Sequence, residues 1–339
     1  ILAADLYIIQ QNGPNSGFPD LASAGGALSL VYTPQSMRWR GIPIMTNRPP
    51  CGAQRGPGQN QMAVVMEPLL DKAAKELGID RLAIRQINAP THDTLYDGDQ
   101  HGITSSYMPE ALKMGAERFN YVEKIKRSGE KNGSKVIGIG VGQAYHSAGA
   151  SGFDGLVQIT ADGKLHLHSG VGNLGTYSYA TTPRVAAEVL GMSWENCVVI
   201  SGDSSKHLPW VLGQFGSNTS FTTTRSNYAA AIDAKQKIQE IAGDAKGTLE
   251  KGLGHDVPDD IFPLTKDAAA GIAGGGLVGV AKDKMDHHGT VPALATGFIM
   301  IELDLETGQH EILDYVGTAD CGTVLHPQGL DQQIRGGAI

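Results

Sequence analysis

Four stretches hold the residues whose types and spacing suit chemistry, and all four are rich in hydrogen-bond donors. Gly52-Ala53-Gln54-Arg55-Gly56-Pro57-Gly58 sets one arginine in a glycine loop ahead of a helical pattern. Such a loop can present backbone N–H groups and a cation to an anion. Ser169-Gly170-Val171-Gly172-Asn173-Leu174-Gly175-Thr176 reads as a strand–glycine loop–helix junction, suited to phosphate or pyrophosphate. It is neither the G-x-G-x-x-G dinucleotide fingerprint nor a P-loop, since no lysine follows its last glycine. Gly216-Ser217-Asn218-Thr219-Ser220-Phe221-Thr222-Thr223-Thr224 puts hydroxyls and amides before a long helix. Asp320-Cys321-Gly322 with His326-Pro327 and Gln332-Gln333 is the fourth, where Gln333 can donate amide hydrogen bonds to a ligand. Taken singly, each has an ordinary explanation: a tight turn with a surface arginine, a plain loop, a run of N-cap residues, a polar helix start.

Other chemistries have no residues to support them. Cys51, Cys197 and Cys321 lie far apart with no C-x-x-C pair, so zinc and iron–sulfur sites are not encoded. His166 and His168 alternate along a strand, and His287-His288 fall in a polar turn. Neither pair has a third ligand at metal spacing, so both read as structural or solvated. No G-x-S-x-G elbow and no H-E-x-x-H occurs. The net charge of −8, without a long basic run, argues against nucleic acid and anionic membrane as partners. The apolar stretch from Val291 to Ile301 is too short for a membrane span. An odd cysteine count without a signal segment favours reduced thiols and a cytoplasmic setting, with the periplasm left open. The start at Ile1 and the stop at Gly336-Gly337-Ala338-Ile339, inside a helical pattern, read as a fragment, a processed chain or an incomplete one.

The elements that must position these loops follow from periodicity. With 339 residues, 41% of them hydrophobic and 18% charged, about two globular domains are expected. Residues 1–50 read as strands and loops. Val64, Val65, Pro68, Leu69 and Ala73 recur at helical spacing over Gln61 to Leu77, with Gly78 as a stop. A short helix follows over Asp80 to Gln86, then a polar connection over 90–107, then a helix over Pro109 to Phe119. Strands are expected at Val136 to Ala144 and Gly155 to Thr160, with a hairpin turn at Ala161-Asp162-Gly163-Lys164. Tyr179 to Leu190 reads as a helix, Cys197 to Ser201 as a buried strand, and Thr222 to Ile241 as a second long helix. Residues 243–275 read as loop. Strands return at Leu277 to Ala281, Gly297 to Asp304 and His310 to Thr318. The mixture predicts an α+β or α/β protein in two layers.

Taken together and in order, the four loops and their flanks resemble the large, molybdenum-cofactor-binding subunit of the molybdenum hydroxylases, the xanthine dehydrogenase and aldehyde oxidase family. The resemblance covers essentially the whole chain. TNRPPCGAQRGPGQNQMAVVMEPLLDKAAKELGIDRLAIRQIN is similar to the family's Thr-Asn, Gly-x-x-Arg-Gly loop, helix with a central Glu, then Arg and Asn. GVGNLGTYSYATTPRVAAEVLGM resembles its second cofactor loop, and GDSSKHLPWVLGQFGSNTSFTTTRSNYAAA its Asp-Thr, Pro, Ser, Ala stretch. ADCGTVLHPQGLDQQIRGG resembles its Asp-x-Gly, Asn-Pro, Gln, Gly segment.

The resemblance implies an α+β fold of two elongated mixed domains with the cofactor between them. Residues 1–95 would be the C-terminal part of a first molybdopterin-binding domain and 96–135 a connection. Residues 136–339 would be a second such domain, incomplete at its C-terminus. The implied cofactor is molybdenum-molybdopterin in its cytosine dinucleotide form, held by hydrogen bonds with no side chain on the metal. By position, Gln54, Arg55 and Gly56 match the loop near the metal, with Arg55 in the catalytic pocket. Leu174, Gly175 and Thr176 match the second cofactor loop. Ser217, Thr219, Ser220 and Thr222 match the phosphate-cradling loop, and Gln333 a glutamine that bonds the pterin. The implied reaction is hydroxylation of an N-heteroaromatic, aromatic or aldehyde substrate with oxygen from water and a glutamate as general base. Electrons would pass to [2Fe-2S] and FAD centres on a small iron–sulfur subunit and a medium FAD subunit, or on missing domains, with a dimer of heterotrimers as one assembly.

Departures from the family pattern narrow this. Thr176 stands where many members carry a glutamine that donates to the metal's apical ligand. Pro57 stands where purine oxidases place a phenylalanine, which counts against a purine. Gly56 replaces the cysteine of carbon monoxide dehydrogenases. The family's glutamate lies downstream of Gln333, which the resemblance puts beyond Ile339. A second reading therefore stays open: a non-catalytic or split scaffold subunit that uses the same loops for a phosphate-bearing ligand.

Overall fold

The structure is a computed structural model that describes residues 1–15, 20–96, 101–149, 153–243, 257–286 and 289–338. The expected His287-His288 pair lies outside the described residues. Contacts divide the chain into two units: Ile1–Ser147 with His287–Thr323, and Ala148–Asp286 with Val324–Gly337.

In the first unit, β1 (Ala3–Gly13) pairs in parallel with β2 (Ser36–Met45), from Ala3 against Ser36 to Gly13 against Met45. Between them runs α1 (Asp20–Tyr32), where the sequence predicts only strands and loops. Its segment Ala24-Gly25-Gly26-Ala27-Leu28 is buried without interruption, so it carries no amphipathic period to read. Burial, not propensity, makes this helix. The next helix, α2 (Gln59–Leu77), is defined by its ends. Gln61 Oε1 accepts the Gly58 N–H at 2.8 Å, one half of a capping box. At the other end Gly78 is left-handed, its N–H donating to Lys75 O and that of Ile79 to Ala74 O, a Schellman stop. Asp80 then caps α3 (Arg81–Ile87) by accepting the N–H groups of Leu82 and Ala83.

After β3 (Leu95–Tyr96) and β4 (His101–Gly102), α4 (Met108–Phe119) buries Met108, Ala111, Leu112, Gly115 and Phe119, the 3.6-residue stripe that its sequence predicts. It stops at left-handed Asn120 and leads into α5 (Tyr121–Lys124). The unit's larger sheet orders β12 (His310–Asp320), β11 (Pro292–Asp304), β6 (Lys135–Ser147) and β5 (Lys131–Asn132). β6 and β11 pair along their full length, Ser147 against Pro292 through Lys135 against Asp304. Leu28, Leu30, Met62, Leu112, Phe119, Phe298 and their neighbours form this unit's core.

In the second unit the sheet order is β10 (Gly276–Lys282), β7 (Asp154–Thr160), β8 (Leu165–Ser169), β9 (Cys197–Ser201). The turn at 161–164 closes the expected hairpin, Thr160 N donating to Lys164 O at 3.0 Å. Adjacent residues of β7 face opposite sides. Val157 meets the cluster of Leu165, Leu167, Ala186, Ala187, Ala230, Ala231 and Ala234, while Leu156 meets Ala268, Ala269, Val278 and Val280. Both faces are thus covered, by α7 (Arg184–Leu190) and α8 (Thr224–Gly243) on one side and α9 (Pro263–Ile272) on the other. A Cβ on Gly155 would come within 2.1 Å of Ser226 O, so only glycine lets α8 lie this close to β7.

Three sequence readings are corrected here. The helix expected over 179–190 is two pieces, α6 (Ser178–Thr181) and α7, because Pro183 interrupts it. Within the span expected as loop, α9 begins with Pro263 in its first turn, a start signal for a helix. β9 is an outer strand, largely half-exposed. The last helix is α10 (Pro327–Ala338), with no residue fully buried. Among the described residues, no helix is long and apolar enough to cross a membrane.

Candidate functional site

Gln54, Arg55 and Gly56 sit in the first unit, on the loop that feeds α2. Gln54 and Arg55 are exposed. The loop is shaped from behind. Asn60 Nδ2 donates to Arg55 O at 2.7 Å, and the N–H of Asn60 donates to Gly56 O at 3.1 Å. Gly58 has φ +88, and a Cβ there would fall 2.1 Å from Asp20 O at the start of α1. The arginine-bearing loop is thus clamped between two helix N-termini at a position only glycine can fill.

The remaining candidates belong to the second unit, which brings three segments together. The loop from Gly170 to Tyr177 leaves β8 and enters α6. Asn173, Leu174, Gly175, Thr176 and Tyr177 are all exposed. Asn173 Oδ1 accepts the Gly175 N–H at 2.9 Å, and the Thr176 hydroxyl is 2.7 Å from that of buried Ser178. The second segment, 213–223, carries the left-handed pair Gly216 and Ser217, then a π-helical turn over Thr219–Thr223 that runs into α8. Asn218 braces it by donating from Nδ2 to Gly213 O at 3.0 Å. Gln214 joins the two segments. Its Oε1 accepts the Gly172 N–H at 2.9 Å, and its Nε2 donates to Ser178 Oγ at 3.4 Å. The third segment arrives through a ring stack: His326, one residue before α10, lies 5.9 Å from Tyr177 with the rings 5° from parallel.

The candidate residues differ in what they have left to offer. Among the described residues, the N–H groups of Leu174, Thr176, Tyr177 and Ser217 donate to no protein acceptor. Ser217 and Ser220 are exposed, whereas Thr219 donates to Asn218 Oδ1 at 3.3 Å. Thr222 is fully buried, and its hydroxyl donates to Gly149 O at 3.2 Å, so it braces the segment from within. Below it, the hydroxyls of Thr223 and Thr224 are buried without a partner among the described residues. Gln333 is exposed on α10. Gln214, Ser178 and Tyr177 tie the segments together, and sequence reasoning passed over all three. No spacing rule marks them, since each acts across a gap in sequence.

His166 and His168 have ring centres 6.5 Å apart, but His168 is buried and its Nδ1 lies 3.0 Å from His207 O and 3.2 Å from Lys206 O. Burial holds its imidazole below the usual range. No group of three or more His, Cys, Asp or Glu able to hold a metal occurs among the described residues.

Fold and site together define an α+β protein whose free donors stand on loops at strand ends and helix starts, suited to a long, polar, anionic ligand. The molybdopterin cofactor-binding domain family matches this chain over residues 1–89 and 114–339. The chain belongs to that family. The putative xanthine dehydrogenase molybdenum-binding subunit of Escherichia coli (strain K12) is 26% identical over 341 residues, taking in 94% of this chain and 44% of that protein. The nicotine 6-hydroxylase large subunit of Paenarthrobacter nicotinovorans is 23% identical over 334 residues, 87% of this chain and 40% of that one. Among solved structures, quinoline 2-oxidoreductase from Pseudomonas putida 86 shares the fold with a TM-score of 0.77 at 22% identity, over 99% of this chain and 47% of that one. The chain thus spans less than half the length of these relatives.

The donor set fits a molybdopterin. Free backbone N–H groups, exposed serine hydroxyls and unpartnered buried threonine hydroxyls converge in one unit, and such groups suit phosphate and pterin acceptors.

Proposed function

We propose that this chain is the cofactor-holding part of the catalytic subunit of a molybdenum hydroxylase. The observation that carries the reading is the convergence, through Gln214, of two donor-bearing loops in a chain of this family. Leu174, Thr176 and Ser217 would offer backbone N–H or hydroxyl donors to the pterin cofactor, with Gly175 shaping that loop through its N–H bond to Asn173, Thr219 and Ser220 at the cofactor's phosphates and Gln333 on the pterin. Thr222 supports them from below. The cofactor would be molybdenum-molybdopterin in the cytosine dinucleotide form. When bound, this group supplies oxidative hydroxylation with oxygen drawn from water.

Arg55 offers a cation on a loop whose shape Gly58 and Asn60 maintain, with Gln54 and Gly56 beside it. It would orient substrate and stabilise developing negative charge. The substrate class is an N-heteroaromatic, another aromatic or an aldehyde, and Pro57 in that loop removes the stacking ring a purine would need. Iron–sulfur and FAD centres on partner subunits would take the electrons. Relatives named as a large subunit and as a "subunit gamma" support a multi-subunit assembly.

One observation favours the scaffold reading. The Thr176 hydroxyl pairs with Ser178 Oγ at 2.7 Å and is shorter than the glutamine amide many members carry at this position. Molybdenum and oxidised-pterin analysis of the purified complex separates the two readings. Absence of both would sink the hydroxylase. With the cofactor present, Arg55→Ala should cut turnover by orders of magnitude without altering the thermal transition, and unchanged turnover would place Arg55 outside the pocket.

A further inference from the structure

His326 is fixed at one ring nitrogen and in the plane of its ring. Its Nδ1 receives the Gly329 N–H at 2.8 Å. An amide N–H can only donate, so Nδ1 carries the lone pair, and in the neutral ring the proton sits on Nε2. That Nε2–H meets no acceptor among the described residues. The ring plane is set by Tyr177, nearly parallel at 5.9 Å, and Tyr177 stacks in turn on Tyr179 at 6.4 Å. Tyr177 has φ +57, a conformation a bulky residue rarely adopts unless its surroundings impose it. It directly follows Thr176, whose hydroxyl pairs with that of Ser178. A donor with no acceptor among the described residues, its ring stacked on Tyr177, therefore stands beside that loop.

We propose that His326 donates a hydrogen bond from Nε2 to an acceptor atom of the ligand held by the 172–178 loop, with Gly329 fixing its tautomer and Tyr177 its plane. This makes it a binding residue, and it assigns to the Tyr177–His326 stack the task of ordering an otherwise exposed loop against α10. The inference rests on the reading that this loop holds a pterin cofactor.

The test uses the assembled complex and follows molybdenum and oxidised-pterin fluorescence retained after dilution and gel filtration. His326→Ser keeps a strong N-cap acceptor for α10 but cannot reach the ligand. His326→Phe keeps a ring on Tyr177 but has neither the acceptor nor the donor. Both variants lack the Nε2–H, and both should lose cofactor on the order of tenfold faster than wild type. His326→Gln restores an N–H donor and should recover most of the retention. Loss at the wild-type rate from His326→Ser overturns the inference, as does wild-type retention in His326→Phe. If His326→Phe does not assemble, His326→Ser decides alone. A wild-type complex without molybdenum or pterin defeats the cofactor reading itself. A loaded wild type with an equally retentive serine variant defeats only the role of His326.

Discussion

Arg85→Met is the sharpest test of how the Arg55 loop is supported, because Arg85 anchors α2, the helix that the loop enters. The guanidinium is fully buried. Its Nε and Nη2 reach Glu67 Oε2 at 2.8 and 2.7 Å, and Nη1 donates to Arg81 O at 2.8 Å. Asp71 Oδ1 lies 2.9 Å from Nη1, an ion-pair contact without hydrogen-bond alignment. Glu67 also accepts from the Tyr32 hydroxyl at 2.8 Å, tying α2 to α1. Methionine fills similar volume but leaves the Glu67 carboxylate with only Tyr32. Breaking a buried pair from one side costs about 3–5 kcal/mol. For a unit of this size that lowers the thermal midpoint by roughly 6–20 °C. Burial already pushes the Glu67 carboxyl above its usual range, with Arg85 opposing the rise. Removing Arg85 raises it further. A group whose folded-state value is raised stabilises the fold below its unfolded value and loses that contribution as pH climbs through the folded value. The deficit of Arg85→Met against wild type is therefore largest at neutral pH and shrinks as the medium is acidified toward the carboxylate range. Thermal melts followed by circular dichroism from pH 8 to pH 5 measure this. A deficit below ~1 kcal/mol, far short of the loss expected for a buried pair, would refute the reasoning, and so would one that is flat across those pH values.

Gly58→Ala meets both a left-handed backbone and the Asp20 carbonyl, and should cost roughly 2–4 kcal/mol; a first-unit melting transition within ~2 °C of wild type contradicts it. Gln214→Leu removes the acceptor for the Gly172 N–H and the donor to Ser178, so limited proteolysis should cut within 172–178 sooner while global stability falls by only ~1–2 kcal/mol; an unchanged cleavage rate argues against the clasp. In Thr265→Val, buried Asp154 keeps only the Phe262 N–H at 3.1 Å. Burial holds the Asp154 carboxyl above its usual range and Thr265 opposes this, so the variant should lose ~1–3 kcal/mol at neutral pH and recover toward acid. Urea unfolding at pH 7 and pH 5 should show that convergence, and a pH-independent loss would speak against it.

What was legible in the sequence was whatever is local. Gly78 and Asp80 announce the end of α2 and the start of α3, and Met108 to Phe119 shows its buried stripe outright. The α+β class and the donor loops follow from the same short-range signals. α1 was hidden because it is buried nearly all round, and Gly25 and Gly26 argue against a helix on propensity alone. The joining of the loops was hidden for a different reason. Gln214 acts 42 residues from Gly172, and Tyr177 meets a ring nearly 150 positions away, so neither contact leaves a periodic trace.

The pairing of β6 with β11 has a consequence for biosynthesis. Residues 148–291, including nearly all of the second unit, are translated between these two strands. At ~5–20 residues per second β6 leaves the ribosome roughly 7–30 s before its partner. Throughout that interval Ile137, Ile139, Val141 and Tyr145, all buried in the finished sheet, lack the β11 strand that runs alongside them. Nascent chains arrested before Pro292 should therefore expose β6 to hydrogen exchange and to chaperones, and chains arrested after Asp320 should not.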